Sequence, residues 1–498
     1  MMMVSRRKLI PLACIALVCP SAFAAEIPVA NSANLNAAIA AAKPGDTLVL
    51  ADGVWRDTIL LLNKAGTAQA PITIRARTPG AVVFTGSSRL QFDAPYVIVD
   101  GLCFKGGALT QQDKQVVRFN SNHCRMTNSA IIDYNPPSFK TKYYWVFFAG
   151  KDNRLDHCFL TGKNHLEPLI GNNLTQSLHN TVDYCYIKDI PYHVGNGREI
   201  FRIWGYGKIG EKGEDGAFFT IAHNLLVHAD GEGSEIISLK SNRNRVIGNT
   251  IRGSRGGITL RNGNYNTIDG NFIFADGISK AYGIRVTGEF HTITNNYCDN
   301  CSYGINLMAG EFVDDKLTPN YVPKINEDAP LGRVPVYFWT RHNLIANNIL
   351  VATKGPNFII GSGYKQNWPA EQRVLLPTEN RITDNLALNS EGALLENALQ
   401  DRQPPLSQFQ FAPNILSNNI VYGGIATSTT TSTTTSTATS TAPPPALPPG
   451  FTLRDPKAVR DRDSVYRRAG NILNHPLTVD GVGPDWMRVR RASRDKRF

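Results

Sequence analysis

The stretch Asn244-Arg-Val-Ile-Gly-Asn249-Thr-Ile is followed by Asn266-Thr-Ile-Asp-Gly-Asn271-Phe-Ile and then by His291-Thr-Ile-Thr-Asn295-Asn296-Tyr. The phrase returns as Asn343-Leu-Ile-Ala-Asn347-Asn348-Ile, Asn380-Arg-Ile-Thr-Asp-Asn385-Leu and Asn414-Ile-Leu-Ser-Asn418-Asn419-Ile. Looser versions stand upstream, at Asn153-Arg-Leu-Asp-His-Cys-Phe and Asn180-Thr-Val-Asp-Tyr-Cys-Tyr. The first three copies start 22 and 25 residues apart, the length of one coil of a parallel β-helix. Each phrase reads as a short strand with alternate residues pointing inward. It ends on an asparagine, whose side chain hydrogen-bonds backbone at a tight turn and tolerates a left-handed conformation. A single coil cannot bury its apolar face, so many must stack, and equivalent asparagines then form a ladder. The fold expected is all-β: a single-stranded right-handed parallel β-helix.

Working outward, residues 34–43 read as a short amphipathic helix stopped by Pro44-Gly45, placed to cap the open strand edges at the start of the stack. Asp46-Thr-Leu-Val-Leu and Ile72-Thr-Ile-Arg-Ala then begin the strand pattern. Residues 1–24 have a basic start (Arg6, Arg7, Lys8), a short apolar run and small residues at Ala22 and Ala24, the signature of a cleaved export signal. A periplasmic or extracellular location follows, and no stretch approaches the roughly 20 apolar residues of a membrane span. Residues 25–424 make up the β-helix domain. Residues 425–450 are Thr/Ser repeats followed by prolines, a flexible insert that cannot build a core. Residues 451–498 are expected to close the helix and end in a basic tail.

The formal net charge of +11, three of it in the leader, suits a polyanionic partner. For an exported chain that partner is acidic polysaccharide rather than nucleic acid, and a monomer suffices. Six cysteines follow the leader: Cys103, Cys124, Cys158, Cys185, Cys298 and Cys301. Their spacing could place Cys103 with Cys124, and Cys158 with Cys185, on neighbouring coils. Cys298-Asp-Asn-Cys301 has redox or zinc spacing but no second pair or histidine set to complete a metal site. A structural bridge or buried thiols are the expectation.

The densest chemistry lies in Asp230-Gly-Glu232-Gly-Ser-Glu235-Ile-Ile-Ser-Leu-Lys240-Ser, Gly256-Gly-Ile-Thr-Leu-Arg261-Asn-Gly and Tyr282-Gly-Ile-Arg285-Val. Lys240, Arg261 and Arg285 are each about one coil apart, and alternation turns all three outward. They should form a column of cations, continued at Asn306. Like charges stacked about 4.8 Å apart repel, and a polyanion lying across them would relieve the repulsion. Strict alternation sets one obstacle: Glu235 and Lys240, five residues apart, should face opposite ways unless the chain bends between them.

These phrases resemble polysaccharide lyase family 6, which contains alginate lyases and chondroitinase B. The likeness runs from the cap to about Asn419, and Pro476-Leu-Thr-Val-Asp-Gly-Val-Gly-Pro-Asp-Trp486 is similar to the family's closing segment. It implies β-elimination at a uronate polymer, with Lys240 as base and Arg261 as the second catalytic residue. It further implies substrate binding by Arg285, with Asn262, His291 and Asn306 as additional contacts. Asn262 stands where the family has a histidine. Calcium is implied as a cofactor through Asn196, Glu235 and Glu232, although the family's Glu-x-Glu pair reads Gly233-Ser234-Glu235 here. Alginate is the substrate the Tyr-Gly-Ile-Arg phrase favours. Dermatan sulfate, and a β-helix that binds acidic glycan without cutting it, are the alternatives.

Overall fold

Val246, Ile268, Ile293, Ile345 and Ile382, the central apolar residues of five successive phrases, stack in register in one parallel sheet, all shut off from solvent. The same stacking holds along the whole computed structural model, which describes residues 24–173, 177–205, 216–312, 337–365, 372–388, 391–397, 412–422, 447–454 and 476–487. Each coil gives one strand to each of three long parallel sheets, of 14, 14 and 12 strands. The first sheet runs from Glu26–Val29 to Ile415–Ser417 and the second from Gly53–Arg56 to Phe451–Arg454. The third, from Ile59–Leu62 to Leu395–Asn397, carries the candidate site. The chain is a parallel β-helix, as its repeats indicate. One antiparallel pair departs from it, a ribbon of Gly310–Phe312 and Gln372–Leu375.

The asparagines form two ladders, one at each turn that flanks the first sheet. Asn224, Asn249, Asn271, Asn296, Asn348, Asn385 and Asn419 make one, each Nδ2 donating to the next side-chain oxygen at 2.9–3.0 Å. Each oxygen also accepts the backbone N–H of the residue below, as Asn249 does from Asn224 at 3.0 Å. Both partners are buried, so these bonds satisfy backbone groups that would otherwise be stranded. The other ladder includes Asn244, Asn266, Asn343, Asn380 and Asn414. Cys158 and Cys185 occupy asparagine positions of the first ladder, Cys185 donating its N–H to Asn224 Oδ1. All six cysteines are buried thiols. Cys103 and Cys124 belong to separate apolar clusters, so their sequence spacing does not bring them together.

The capping helix forms at Ser32–Ala41, two residues earlier than its apolar pattern suggested. The reason is Asn31, whose side chain accepts from the N–H groups of Ala33 and Asn34 and so fixes the start. Leu35 and Ile39 cover the end of the core. At the other end Phe451–Arg454 pairs with Asn419–Tyr422 as the last strand of the second sheet. Residues 476–487 do not continue the coil. They strap back along the outside of the second sheet, where Leu477, Val482, Trp486 and Met487 cover Cys103, Phe159 and Tyr186. Leu477 N–H bonds Thr250, Gly483 N–H bonds Tyr184 and the Trp486 indole N–H bonds the Asn128 carbonyl, so the strap crosses several coils toward the N-terminus. Residues 1–23, most of the Thr/Ser/Pro-rich stretch and the basic tail lie outside the described residues. Among those described, no helix is long and apolar enough to cross a membrane.

Candidate active site

Three neighbouring strands of the third sheet, Phe201–Gly205, Glu235–Ser241 and Gly256–Asn262, carry most of the polar groups of the cleft. Glu235 opposes Gly257 but Ile237 opposes Ile258, so the chain bulges at Ile236. Ile236 and Ile237 both point into the core without exposure. That extra inward residue is the bend the alternation demanded: it restores Glu235 and Lys240 to the same outer face. A second irregularity falls between Leu239 and Lys240, where Lys240 opposes Asn262 and Arg261 is left in the bulge. The expected column is corrected accordingly. Trp204, Lys240 and Asn262 share one register position, while Arg202, Ser238, Thr259, Arg285 and Asn306 share another.

The three cations nevertheless converge. Lys240 Nζ lies 3.1 Å from Glu199 Oε1 and sits over the Trp204 ring, 4.7 Å from its centroid. Arg285 is ion-paired to Glu235 Oε1, and Arg261 Nη1 lies 3.8 Å from the same oxygen. Ser238 donates to the other oxygen of Glu235. Burial opposes the charge on Glu235, but Arg285 and Arg261 outweigh it and hold the carboxyl below its ordinary range. Arg202 completes the group: it bonds Tyr144 Oη at 2.7 Å and Glu167 at 2.8 Å, and its other nitrogen lies 3.7 Å from Glu199.

Acidic groups gather beside the cations. Glu199, Glu232 and Glu235 each offer a carboxylate oxygen, all within 4.8 Å of one another. Glu199 is fully buried and its Oε2 accepts no hydrogen bond. Burial, followed by the charge of Glu199, pushes the Glu232 carboxyl up to about 7, although it accepts the Gly197 N–H at 2.9 Å. A hard divalent cation takes such oxygen donors. It would also satisfy Glu199 Oε2 and offset the repulsion between Glu199 and Glu232, so the three carboxylates fit one. Asn196 is exposed in the turn before Glu199, next to Gly197, whose N–H bonds Glu232. Glu199, three residues beyond Asn196, is an acidic member of the cluster that the sequence reading did not name.

A family model described as Chondroitinase B matches residues 29–439. The chain belongs to the chondroitinase B family. Among solved structures it resembles a PL6 family polysaccharide lyase from Pseudopedobacter saltans at 40% identity and a TM-score of 0.75, covering 92% of this chain and 99% of that one. The PL6 alginate lyase AlyGC is 26% identical with a TM-score of 0.74; the match covers 93% of this chain and 58% of AlyGC. A mannuronic acid specific family 6 lyase from human gut microbiota, at 22% identity and a TM-score of 0.72, shares the fold. Comparison with curated proteins gives no match. This member of the chondroitinase B family is therefore a PL6 polysaccharide lyase.

Within the lyase cleft the sequence-derived residues divide cleanly. Lys240, Arg261, Arg285, Glu235 and Glu232 are brought together. Asn262 is buried beside Lys240 in register, and Asn306 beside Arg285, where its Oδ1 accepts from Ser362 at 2.5 Å. His291 is elsewhere. It occupies an asparagine position of the second ladder: Nδ1 accepts the Asn266 N–H at 3.0 Å, and Nε2 reaches the Thr287 carbonyl at 3.0 Å. With both nitrogens committed to backbone it has none left for a sugar, and burial lowers its pKa to about 4. Sequence reading also passed over Glu199, Arg202, Trp204 and Tyr337, the last of whose rings lies 5.4 Å from the Arg261 guanidinium. Trp204 could have been found from register alone, since Arg202-Ile-Trp204 aligns with Ser238-Leu-Lys240.

Proposed function

We propose that this lyase cleaves alginate by β-elimination, with Lys240 as the base and Arg261 and Arg285 neutralising the uronate carboxylate. The observation that carries the reading is the meeting of Lys240, Arg261 and Arg285 around buried carboxylates on one wall of the β-helix. Removing the C5 proton beside a carboxylate builds negative charge on that group, which fixed cations stabilise. In the proposed reaction Lys240 Nζ, once it has given up its own proton, takes the C5 proton of the uronate. The released electron pair forms the C4–C5 double bond, the C4–O4 bond breaks, and the proton that Lys240 took up passes, directly or through water, to the departing oxygen, whose charge Arg261 offsets until then. Trp204 and Glu199 hold the Lys240 amine in place through the ring contact and the hydrogen bond.

Alginate is favoured because AlyGC, 26% identical over most of this chain, is an alginate lyase. Calcium held by Glu199, Glu232 and Glu235 belongs to the same proposal; when bound it would add positive charge to the carboxylate-binding side of the cleft. Those ligands are partly engaged by Lys240 and Arg285, so metal binding competes with two ion pairs. The basic, small-residue leader at 1–24 supports export to the periplasm or beyond. The test is incubation with polymannuronate, polyguluronate and dermatan sulfate, read by the ultraviolet absorbance of the unsaturated uronate end. Activity confined to dermatan sulfate would replace alginate by the substrate that the family's name suggests.

A further inference from the structure

The antiparallel ribbon of Gly310–Phe312 and Gln372–Leu375 brings a cation to the cleft that the repeats do not supply. Arg373 stands with its guanidinium 5.0 Å from the centroid of the Tyr337 ring, the same ring that lies against Arg261. Gly363 keeps the space open: a methyl group there would come within 2.9 Å of Arg373 Nη1 and 3.0 Å of the end of Met308. Gly363 follows Ser362, which bonds Asn306 in the Arg285 column. Arg373 is thus anchored to the cleft from two sides.

Its electrostatics differ from those of its neighbours. Lys240 has Glu199, Arg285 and Arg261 share Glu235, and Arg202 has Glu167. Among the described residues no carboxylate pairs with Arg373; its Nε, like that of Arg202, is covered and makes no hydrogen bond, which leaves the outer guanidinium nitrogens to meet a ligand. A guanidinium beside an aromatic ring matches a carboxylate in two-pronged geometry, and the ring gives it a fixed orientation.

We propose that Arg373, held by Tyr337, binds the carboxylate of a second uronate unit, next to the one that Lys240 deprotonates. The proposal rests on the polyuronate reading and extends it by naming a specificity position outside the repeats. The test uses the full chain. Binding of a mannuronate or guluronate hexasaccharide is measured by calorimetry on Lys240→Ala and on Lys240→Ala with Arg373→Gln, and steady-state kinetics are taken on Arg373→Gln, Arg373→Lys and Val374→Ala. The expected result is binding at least tenfold weaker without Arg373, a loss in kcat/KM carried mainly by KM, partial recovery with lysine and little change in Val374→Ala. Binding and KM within twofold of the parent for Arg373→Gln would overturn the proposal. An equal loss in Val374→Ala would do so too, by showing that the ribbon only needs its packing. If the Lys240→Ala protein binds neither hexasaccharide, the polyuronate reading falls with it; binding that survives Arg373→Gln removes the Arg373 subsite alone.

Discussion

Replacing Glu232 by glutamine should stabilise the protein at pH 8 when divalent cations are removed, and should do nothing at pH 4. In the folded chain the Glu232 carboxyl titrates near 7, against an ordinary 4.5, because burial and the charge of Glu199 oppose its ionisation. Between those two values the folded state holds a proton that the unfolded state has released, so folding stability falls as pH rises through the interval. Each pH unit is worth about 1.4 kcal/mol. An interval of 7 − 4.5 = 2.5 units sets an upper bound of ~3.5 kcal/mol, which access to solvent and the charges beside Glu232 will reduce. Glutamine keeps the shape and the acceptor for the Gly197 N–H but cannot ionise, so it escapes the penalty. Thermal melting at pH 4, 6 and 8 in chelator reads this directly: equal midpoints at pH 4, and a variant that gains on the wild type toward pH 8. A variant that is less stable at every pH, or a difference that does not grow with pH, would refute the reasoning. Adding calcium supplies the countercheck, since a cation on three carboxylates should raise the wild-type melting point and raise that of Glu232→Gln much less.

His291→Asn should leave both activity and melting close to wild type, because asparagine is the residue that fills this ladder position in neighbouring coils; a large loss in kcat would return His291 to the cleft. Asn271→Ala removes donors to Val246 and Asn296 and an acceptor for Asn249 in one step, and should cost about 2–4 kcal/mol of stability at two or more buried bonds of ~1–3 kcal/mol each, measurable by urea unfolding. Lys240→Ala should abolish turnover and also lower the melting point, since it strands the fully buried Glu199; Arg261→Ala, whose side chain is 20% exposed and makes a 3.8 Å pair with Glu235 and a ring contact with Tyr337, should abolish turnover with a smaller change in melting point, since Arg285 still pairs Glu235. Trp486→Ala should loosen the C-terminal strap, read as faster proteolysis after Tyr184 and within residues 476–487 with the cleft chemistry retained.

The β-helix was legible because its physics is periodic: one asparagine and one apolar residue recurring at coil length are both cause and signature of the stack. The same regularity misled where it was trusted too far. Counting coils aligned Lys240 with Arg261, but the bulge beside Leu239 sets Lys240 opposite Asn262. Alternation put Glu235 and Lys240 on opposite faces, and the bulge at Ile236 reverses that. Two consecutive isoleucines were the available sign, since a strand with one solvated face has no place for both in the core unless it bulges. His291 carried its own warning, because it opens its phrase at the position where the copies on either side have asparagine. Glu199 lies three residues beyond Asn196, yet only the fold shows that Glu199 is buried and Asn196 exposed. Arg373 was beyond reach: the ribbon leaves the repeat, so no period places it. The strap of residues 476–487 was likewise hidden, because apolar residues spaced along an irregular segment do not say which sheet they cover.

The most direct measurement is the ultraviolet absorbance released from polymannuronate, polyguluronate and dermatan sulfate by the wild type and by Arg261→Ala at matched folded concentration. The account expects absorbance to rise with at least one alginate polymer for the wild type and to stay flat for Arg261→Ala. No rise with any polymer for the wild type, or an undiminished rise for a well-folded Arg261→Ala, would contradict it.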